Sequence, residues 1–190
     1  MRIIAGAKRG MKLLSPKTDT SRPITDRVKE SLFDVLWNYG FPEGKIAADL
    51  FCGVGSLGLE ALSRGAEFVA FVEKDPRIIA TLKNNIEKAG FTGESKVIRA
   101  DAFKIGAPAY RQKYNLVFVD PPYAASRDAK EDSPLGKLLV LLTEQLSPDG
   151  IVVVRTEKRI ELLEQYGGLK VIERRQWGTM AVAILHRSSK

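Results

Sequence analysis

Four short strand-like runs each carry an acid at or just past their end: Ile46 to Phe51 with Asp49, Phe68 to Val72 before Glu73, Lys96 to Ala100 before Asp101, and Leu116-Val117-Phe118-Val119 before Asp120. Runs of this length, rich in apolar residues and bounded by turn formers, are buried strands. Helical patterns separate or follow them at residues 57–64, 76–89 and 135–145. Strands alternating with helices imply a parallel sheet covered on both faces. Ligands of such sheets bind outside the carboxyl ends of the strands, so Asp49, Glu73, Asp101 and Asp120 are expected on one edge, around one site.

The flanks extend the pattern. Thr25 or Asp26 caps a helix running to Asn38 or Tyr39, with Val28, Leu32, Val35 and Leu36 on one face and Gly40 as its stop. Ile151 to Val154 is a fifth strand, and a short helix is expected near Arg159 to Tyr166. Two further runs, Lys170 to Trp177 and Thr179 to His186, meet at Gly178, and so tight a connection forces an antiparallel pair. Residues 1–22 read as a hairpin arm around a Gly-Lys-Arg-Gly-type turn. No repeat or linker divides the chain, so residues 1–190 are expected to form one domain, with a basic arm (1–24) and a catalytic fold (25–190).

Gly53, Gly55 and Gly58 lie between the first strand and its helix. Glycines there let the backbone approach a ligand, and the helix start contributes N–H groups. Glu73, closing the next strand, is placed to bond ribose hydroxyls, which S-adenosylmethionine and NAD both carry. A carboxylate at Asp49 favours a cationic ligand over a pyrophosphate, although an acid there also serves as a helix cap. Phe51, Cys52, Gly53 and Gly55 of the loop, Lys74 after Glu73, and Asp101 with Ala102 at the third strand's end complete the cofactor set, which also includes Asp120.

Asp120-Pro121-Pro122-Tyr123 is a different kind of site. Successive prolines remove backbone donors and fix φ, leaving carbonyls and a carboxylate as acceptors beside an aromatic face. That suits an exocyclic amine on a nucleobase lifted from its stack. Such an amine is a poor nucleophile, and accepting hydrogen bonds from its N–H groups turns the lone pair toward an electrophile. The acceptor pair serves guanine N2 or adenine N6 equally.

The lone cysteine, Cys52, excludes an intrachain disulfide and fits a reducing compartment, hence the cytoplasm. It sits away from the Pro-Pro motif and is expected to pack against cofactor. No His/Cys spacing suggests zinc, His186 has no partner nearby in sequence, and no run reaches membrane-spanning length. The net charge of +7 is uneven: residues 1–30 hold eight Lys/Arg against three acids, 31–154 fourteen against sixteen, and 155–190 eight against four. Basic ends around a neutral body suit a phosphate-rich partner if both ends share one side of the molecule. Lys8, Arg9, Lys12, Arg22 and Arg27 are the candidate RNA contacts. Segment 124–134, polar and mixed in charge, reads as a loop able to close over a base or as an ordinary solvated one.

At these residues the chain resembles class I S-adenosylmethionine-dependent methyltransferases carrying the aspartate-proline-proline-aromatic signature. Arg2-Ile3-Ile4-Ala5-Gly6, Arg9 to Leu13, Arg22 to Phe33 and Gly58 to Ala66 are similar to the RsmD family, bacterial enzymes that methylate N2 of one guanine in 16S ribosomal RNA. The resemblance runs to the last strand pair. It implies a Rossmann-like, mostly parallel seven-stranded sheet with an antiparallel last strand, S-adenosylmethionine as cofactor without a metal, and a monomer acting on ribosomal RNA in a small-subunit particle. Cys52, Val54 and Ile24 depart from the commoner residues, and a hydroxyl role at position 24 is excluded. A DNA adenine methyltransferase, an NAD-dependent oxidoreductase and a silent RNA-binding protein remain as other readings.

Overall fold

The computed structural model describes residues 1–15, 24–108 and 112–187. In chain order its elements are α1 (Asp26–Asn38), β1 (Ile46–Leu50), α2 (Ser56–Ser63), β2 (Phe68–Glu73), α3 (Pro76–Ala89), β3 (Ser95–Arg99), α4 (Ala102–Ile105), β4 (Tyr114–Val119), α5 (Pro134–Gln145), β5 (Leu146–Glu157), β6 (Gln165–Tyr166), β7 (Leu169–Trp177) and β8 (Met180–Arg187). Short 3-10 turns occupy Gly6–Lys8 and Tyr123–Ser126. The strands form one sheet of order β3-β2-β1-β4-β5-β8-β7-β6. β1 to β5 pair in parallel, β8 is antiparallel to β5 and β7, and β6 is antiparallel to β7. This is the mostly parallel methyltransferase fold with antiparallel carboxyl-terminal strands.

Side chains along the central strands alternate between two cores, as a period of two requires. Ala47, Val69, Phe71, Leu116, Phe118, Ile151 and Val153 join α1, α2 and α3 on one face. Ala48, Ala70, Val72, Val117, Val119, Val152 and Val154 join α5 on the other. Burial on both faces explains why these strands read as nearly continuous apolar runs. Local signals set the helix starts: Thr25 Oγ1 accepts from Val28 N–H, Asp75 accepts from Arg77 N–H ahead of Pro76, and Ser133 accepts from Gly136 N–H ahead of Pro134.

Several expectations change. The sheet has eight strands, because the two residues of β6 add an outer edge. The helix expected near 159–166 does not form. Arg174 donates to the carbonyls of Lys158 and Ile160, which a helix would need for its own ladder, and the Tyr166 hydroxyl accepts from Leu163 N–H while donating to the Ala129 carbonyl. β5 extends to both sides of the apolar core expected of it. The arm turns back on itself through one antiparallel bridge, Arg2 to Lys12, and packs Ile3 and Leu13 into the core. The 124–134 segment is anchored, with Ser126 and Ala129 buried. No helix among the described residues is long and apolar enough to cross a membrane.

Candidate active site

A cavity of about 390 Å³ opens at the carboxyl ends of β1, β2 and β4, within the size range of small-molecule sites. The parallel register builds it. Asp49 lies opposite Phe71 and Phe118, and Val119 pairs with Val154, so the next residues, Asp120 and Arg155, stand side by side. Arg155 Nε donates to Asp120 Oδ1 at 2.5 Å, and Asp120 N–H reaches the Leu50 carbonyl at 3.4 Å. Burial raises the Asp120 carboxyl above its ordinary value, and Arg155 partly offsets that rise.

Asp49 is 2% exposed and forms part of the cavity wall. Its Oδ2 accepts from Gly58 N–H at 2.8 Å, so it holds the α2 backbone and faces the cavity at once. Burial pushes its carboxyl up to about 8, with the negative charges of Asp120 and Glu73 adding to the rise and the Gly58 N–H opposing it. Glu73 is fixed by three backbone amides, those of Gly53 (3.1 Å), Lys74 (2.8 Å) and Asp75 (2.9 Å). Four acids, Asp49, Glu73, Asp75 and Asp120, therefore line one concave space against two basic side chains, Lys74 and Arg155, an excess of acid that favours a cation.

The loop between β1 and α2 is shaped by close packing. A Cβ on Gly58 would sit 2.3 Å from the Phe71 ring, and one on Gly55, at φ +88°, would sit 2.6 Å from Leu82. Only glycine lets α2 lie this close to β2. Phe51 adopts φ +58°, a conformation that costs a non-glycine residue energy and gathers at functional sites. Its ring rests 4.6 Å from that of Phe103. Burial raises the Cys52 thiol, and the nearby Asp49 and Glu73 charges add to that. The thiol is held neutral, as a packing role requires and a nucleophile does not.

Of the candidate cofactor residues, Asp49, Phe51, Cys52, Gly53, Glu73, Lys74, Ala102 and Asp120 line this cavity, together with Pro121, Pro122 and Tyr123. Gly55 and Asp101 do not. Gly55 lies under the loop, and the Asp101 carboxylate accepts from Phe103 N–H at 3.1 Å to cap α4, leaving Ala100 and Ala102 as the wall there. The Pro122 carbonyl accepts from Ala125 N–H at 2.9 Å, closing the 3-10 turn, and the Pro121 carbonyl is no part of that bond.

Sequence reasoning misses three groups of contributors. Arg155 follows the Ile151 to Val154 run just as Asp120 follows Leu116 to Val119, so aligning the two run ends in register finds it. Asp75 and Ile78, from the start of α3, follow the β2 acid directly. Met1, Ser15 and Ile24 bring the amino-terminal region to the wall, and nothing local in the sequence signals it.

Lys8, Arg9, Lys12 and Arg27 are at the surface, whereas Arg22 lies outside the described residues. The arm that carries Lys8, Arg9 and Lys12 borders the cavity through Met1 and Ser15. At the other end of the chain the basic excess is largely engaged locally: Arg159 pairs with Glu157, Arg175 with Glu173, and Arg174 holds two carbonyls.

The family model described as Conserved hypothetical protein 95 matches residues 1–186. The chain belongs to this RsmD-like family. Among its relatives is the putative rRNA methyltransferase YlbH of Bacillus subtilis, 38% identical over 188 residues that cover 97% of each chain. Ribosomal RNA small subunit methyltransferase D of Haemophilus influenzae is 35% identical over 160 residues, covering 83% of this chain and 79% of its own. The solved structure of the putative methyltransferase yhhF from Escherichia coli superposes with a TM-score of 0.82 at 30% identity, covering 100% of this chain and 99% of that one. In this chain the Asp120 to Tyr123 motif and the β1–α2 glycine loop meet at one cavity.

Proposed function

We propose that this chain transfers a methyl group from S-adenosylmethionine to the exocyclic N2 of a guanine in 16S ribosomal RNA. The observation that carries the reading is the convergence of an acid-rich, cation-favouring wall and an acceptor-rich Asp-Pro-Pro-Tyr rim on a single cavity. The ribosomal RNA methyltransferases among the relatives support the substrate class. NAD fits less well, since its pyrophosphate would meet Asp49, Glu73 and Asp120.

Bound there, S-adenosylmethionine supplies an electrophilic methyl on a sulfonium centre. Asp49 faces the cationic part of the donor. Glu73 accepts from ribose hydroxyls with its own orientation set by the three amides, and Ala102 belongs to the apolar seat for adenine. Asp120 and the Pro121 carbonyl accept from the two N–H groups of the target amine, and Tyr123 gives the flipped base a flat face. Arg155 holds Asp120 in position through Oδ1, leaving Oδ2 for the amine. As the nitrogen gains its methyl group the surplus proton leaves to Asp120 or to water. No covalent enzyme intermediate is required; orientation and preorganised charge supply the acceleration. The protein acts as a cytoplasmic monomer, one domain over residues 1–190, on ribosomal RNA within a small-subunit particle, with no metal.

The test is nucleoside mapping after incubation with S-adenosylmethionine and either naked 16S RNA or small-subunit particles. N2-methylguanosine at one site is the expected product. N6-methyladenine in DNA run alongside would overturn the substrate, and binding of NAD in place of S-adenosylmethionine would overturn the chemistry.

Two further outcomes are expected. Glu73→Gln keeps the shape but removes the charge, and should weaken donor binding by roughly tenfold, about 1.4 kcal/mol, the scale of a charge-assisted hydrogen bond made neutral. Calorimetry with unchanged donor affinity would confine Glu73 to fixing the loop. Neutralising Arg9, Lys12 and Arg27 together should weaken RNA binding and flatten its salt dependence, by about 0.7 in log–log slope for each single-strand phosphate the protein no longer neutralises. Donor affinity should hold. An unaltered slope would make these residues a solvated surface.

A further inference from the structure

We infer that the amino-terminal arm and the β1–α2 loop form one ordered unit, with Asn85 and Lys29 as positioning residues that couple donor binding to the seating of the arm. The inference rests on the donor reading above. Two fully buried side chains on different helices each bond the arm and, at once, Val54 in the loop or Ser56 where α2 begins. Asn85 on α3 accepts from Leu14 N–H at 2.8 Å, and its Nδ2 donates to the Leu14 carbonyl at 3.0 Å and the Val54 carbonyl at 3.1 Å. Lys29 on α1 donates through Nζ to the Arg2 carbonyl at 2.6 Å and to Ser56 Oγ at 3.2 Å. Leu14 and Arg2 belong to the arm, while Val54 and Ser56 belong to the cavity wall.

The ion pair behind Lys29 strengthens the clasp. Glu60, also fully buried, lies 3.4 Å from Lys29 Nζ and accepts from the backbone N–H groups of Ile4 (2.7 Å) and Ala5 (3.0 Å). A buried amide or ammonium that loses one partner keeps the desolvation cost of the rest, so arm and loop open together. Once seated, the arm adds Met1 and Ser15 to the wall. Coupling of this kind is reciprocal: a donor in the cavity holds the arm down, and RNA gripping Lys8, Arg9 and Lys12 tightens the donor site. The ribosomal substrate thereby favours donor capture from a surface that does not touch the donor.

Amide hydrogen exchange tests this without any need for turnover. Saturating S-adenosylhomocysteine should slow exchange at Ile4, Ala5 and Leu14, none of which borders the cavity, by at least about tenfold in the parent protein. Asn85→Ala should weaken S-adenosylhomocysteine binding about tenfold and abolish the protection of Leu14, with kcat at saturating donor and RNA within threefold of the parent. Unchanged arm exchange in a parent that binds S-adenosylhomocysteine overturns the coupling, a result that depends on no variant. Unchanged donor affinity in a folded Asn85→Ala protein overturns the role of Asn85. A parent that fails to bind S-adenosylhomocysteine overturns the donor reading itself, and the coupling falls with it.

Discussion

Asp120→Asn is expected to lower the single-turnover rate of methyl transfer by about 10²-fold or more, the scale of losing one preorganised electrostatic contact. The substitution preserves volume and leaves an oxygen for Arg155 Nε, which donates to Oδ1 at 2.5 Å. It turns the second acceptor into a donor that faces the N–H groups of the target amine. Donor affinity should change far less, because the proposed mechanism gives the cation and ribose contacts to Asp49 and Glu73 and the amine to Asp120. Rapid-quench rates within threefold of the parent would remove Asp120 from the chemistry. Arg155→Met separates holding from accepting. Arg155 lowers the Asp120 carboxyl against the rise caused by burial, so its loss raises that carboxyl further, and activity carried by the ionised form should shift to higher pH.

Asp49→Asn is expected to move affinity and stability in opposite directions. The Asp49 carboxyl goes from an ordinary 3.8 to about 8 in the fold, chiefly through burial. A raised acid leaves stability intact below its unfolded value. That stability is lost progressively as pH rises from about 4 through about 8. The asparagine variant escapes this loss. Its thermal midpoint should exceed that of the parent at pH 8 to 9, with the gap closing toward pH 4. A cationic donor draws the carboxyl back to its ionised form, so parent affinity should climb with pH up to about 8 while the variant's stays flat and at least about tenfold weaker above that. Parent binding that is independent of pH between 6 and 9 would show that the buried acid does not meet the cation.

The central sheet was legible because its strands are buried on both faces, and continuous apolar runs with terminal acids are hard to produce in any other way. The α3 boundaries were equally plain, since Asp75, Pro76 and Gly90 mark them chemically. The lining of the cavity was legible where one run and its acid sufficed, as at Asp49, Glu73 and Asp120. It was less legible where two strands had to be laid side by side, which is why Arg155 escaped notice. Asp101 shows the converse: an acid at a strand end also caps a helix, and here the cap takes the carboxylate. Lys29, Glu60 and Asn85 were invisible because polar residues on a helix read as a solvated face. In the fold they are buried and bonded to the arm, Lys29 at Arg2, Glu60 at Ile4 and Ala5, and Asn85 at Leu14. The segment at 159–166 has apolar and charged residues compatible with a helix, and Arg174 from β7, together with the segment's own Tyr166, takes the backbone groups a helix would need.

β8 enters the sheet antiparallel beside β5, and its link to β7 is a turn at Gly178 and Thr179 that lies level with Glu157 at the carboxyl end of β5. A parallel strand in that place would have needed a crossover of a dozen residues or more, usually a helix, rising over the tips of β4 and β5. The hairpin spares the end of β5 such a crossover. The arm brings Met1 and Ser15 to the cavity wall and β5 brings Arg155, so the first residues of the chain and its last parallel strand close on one space.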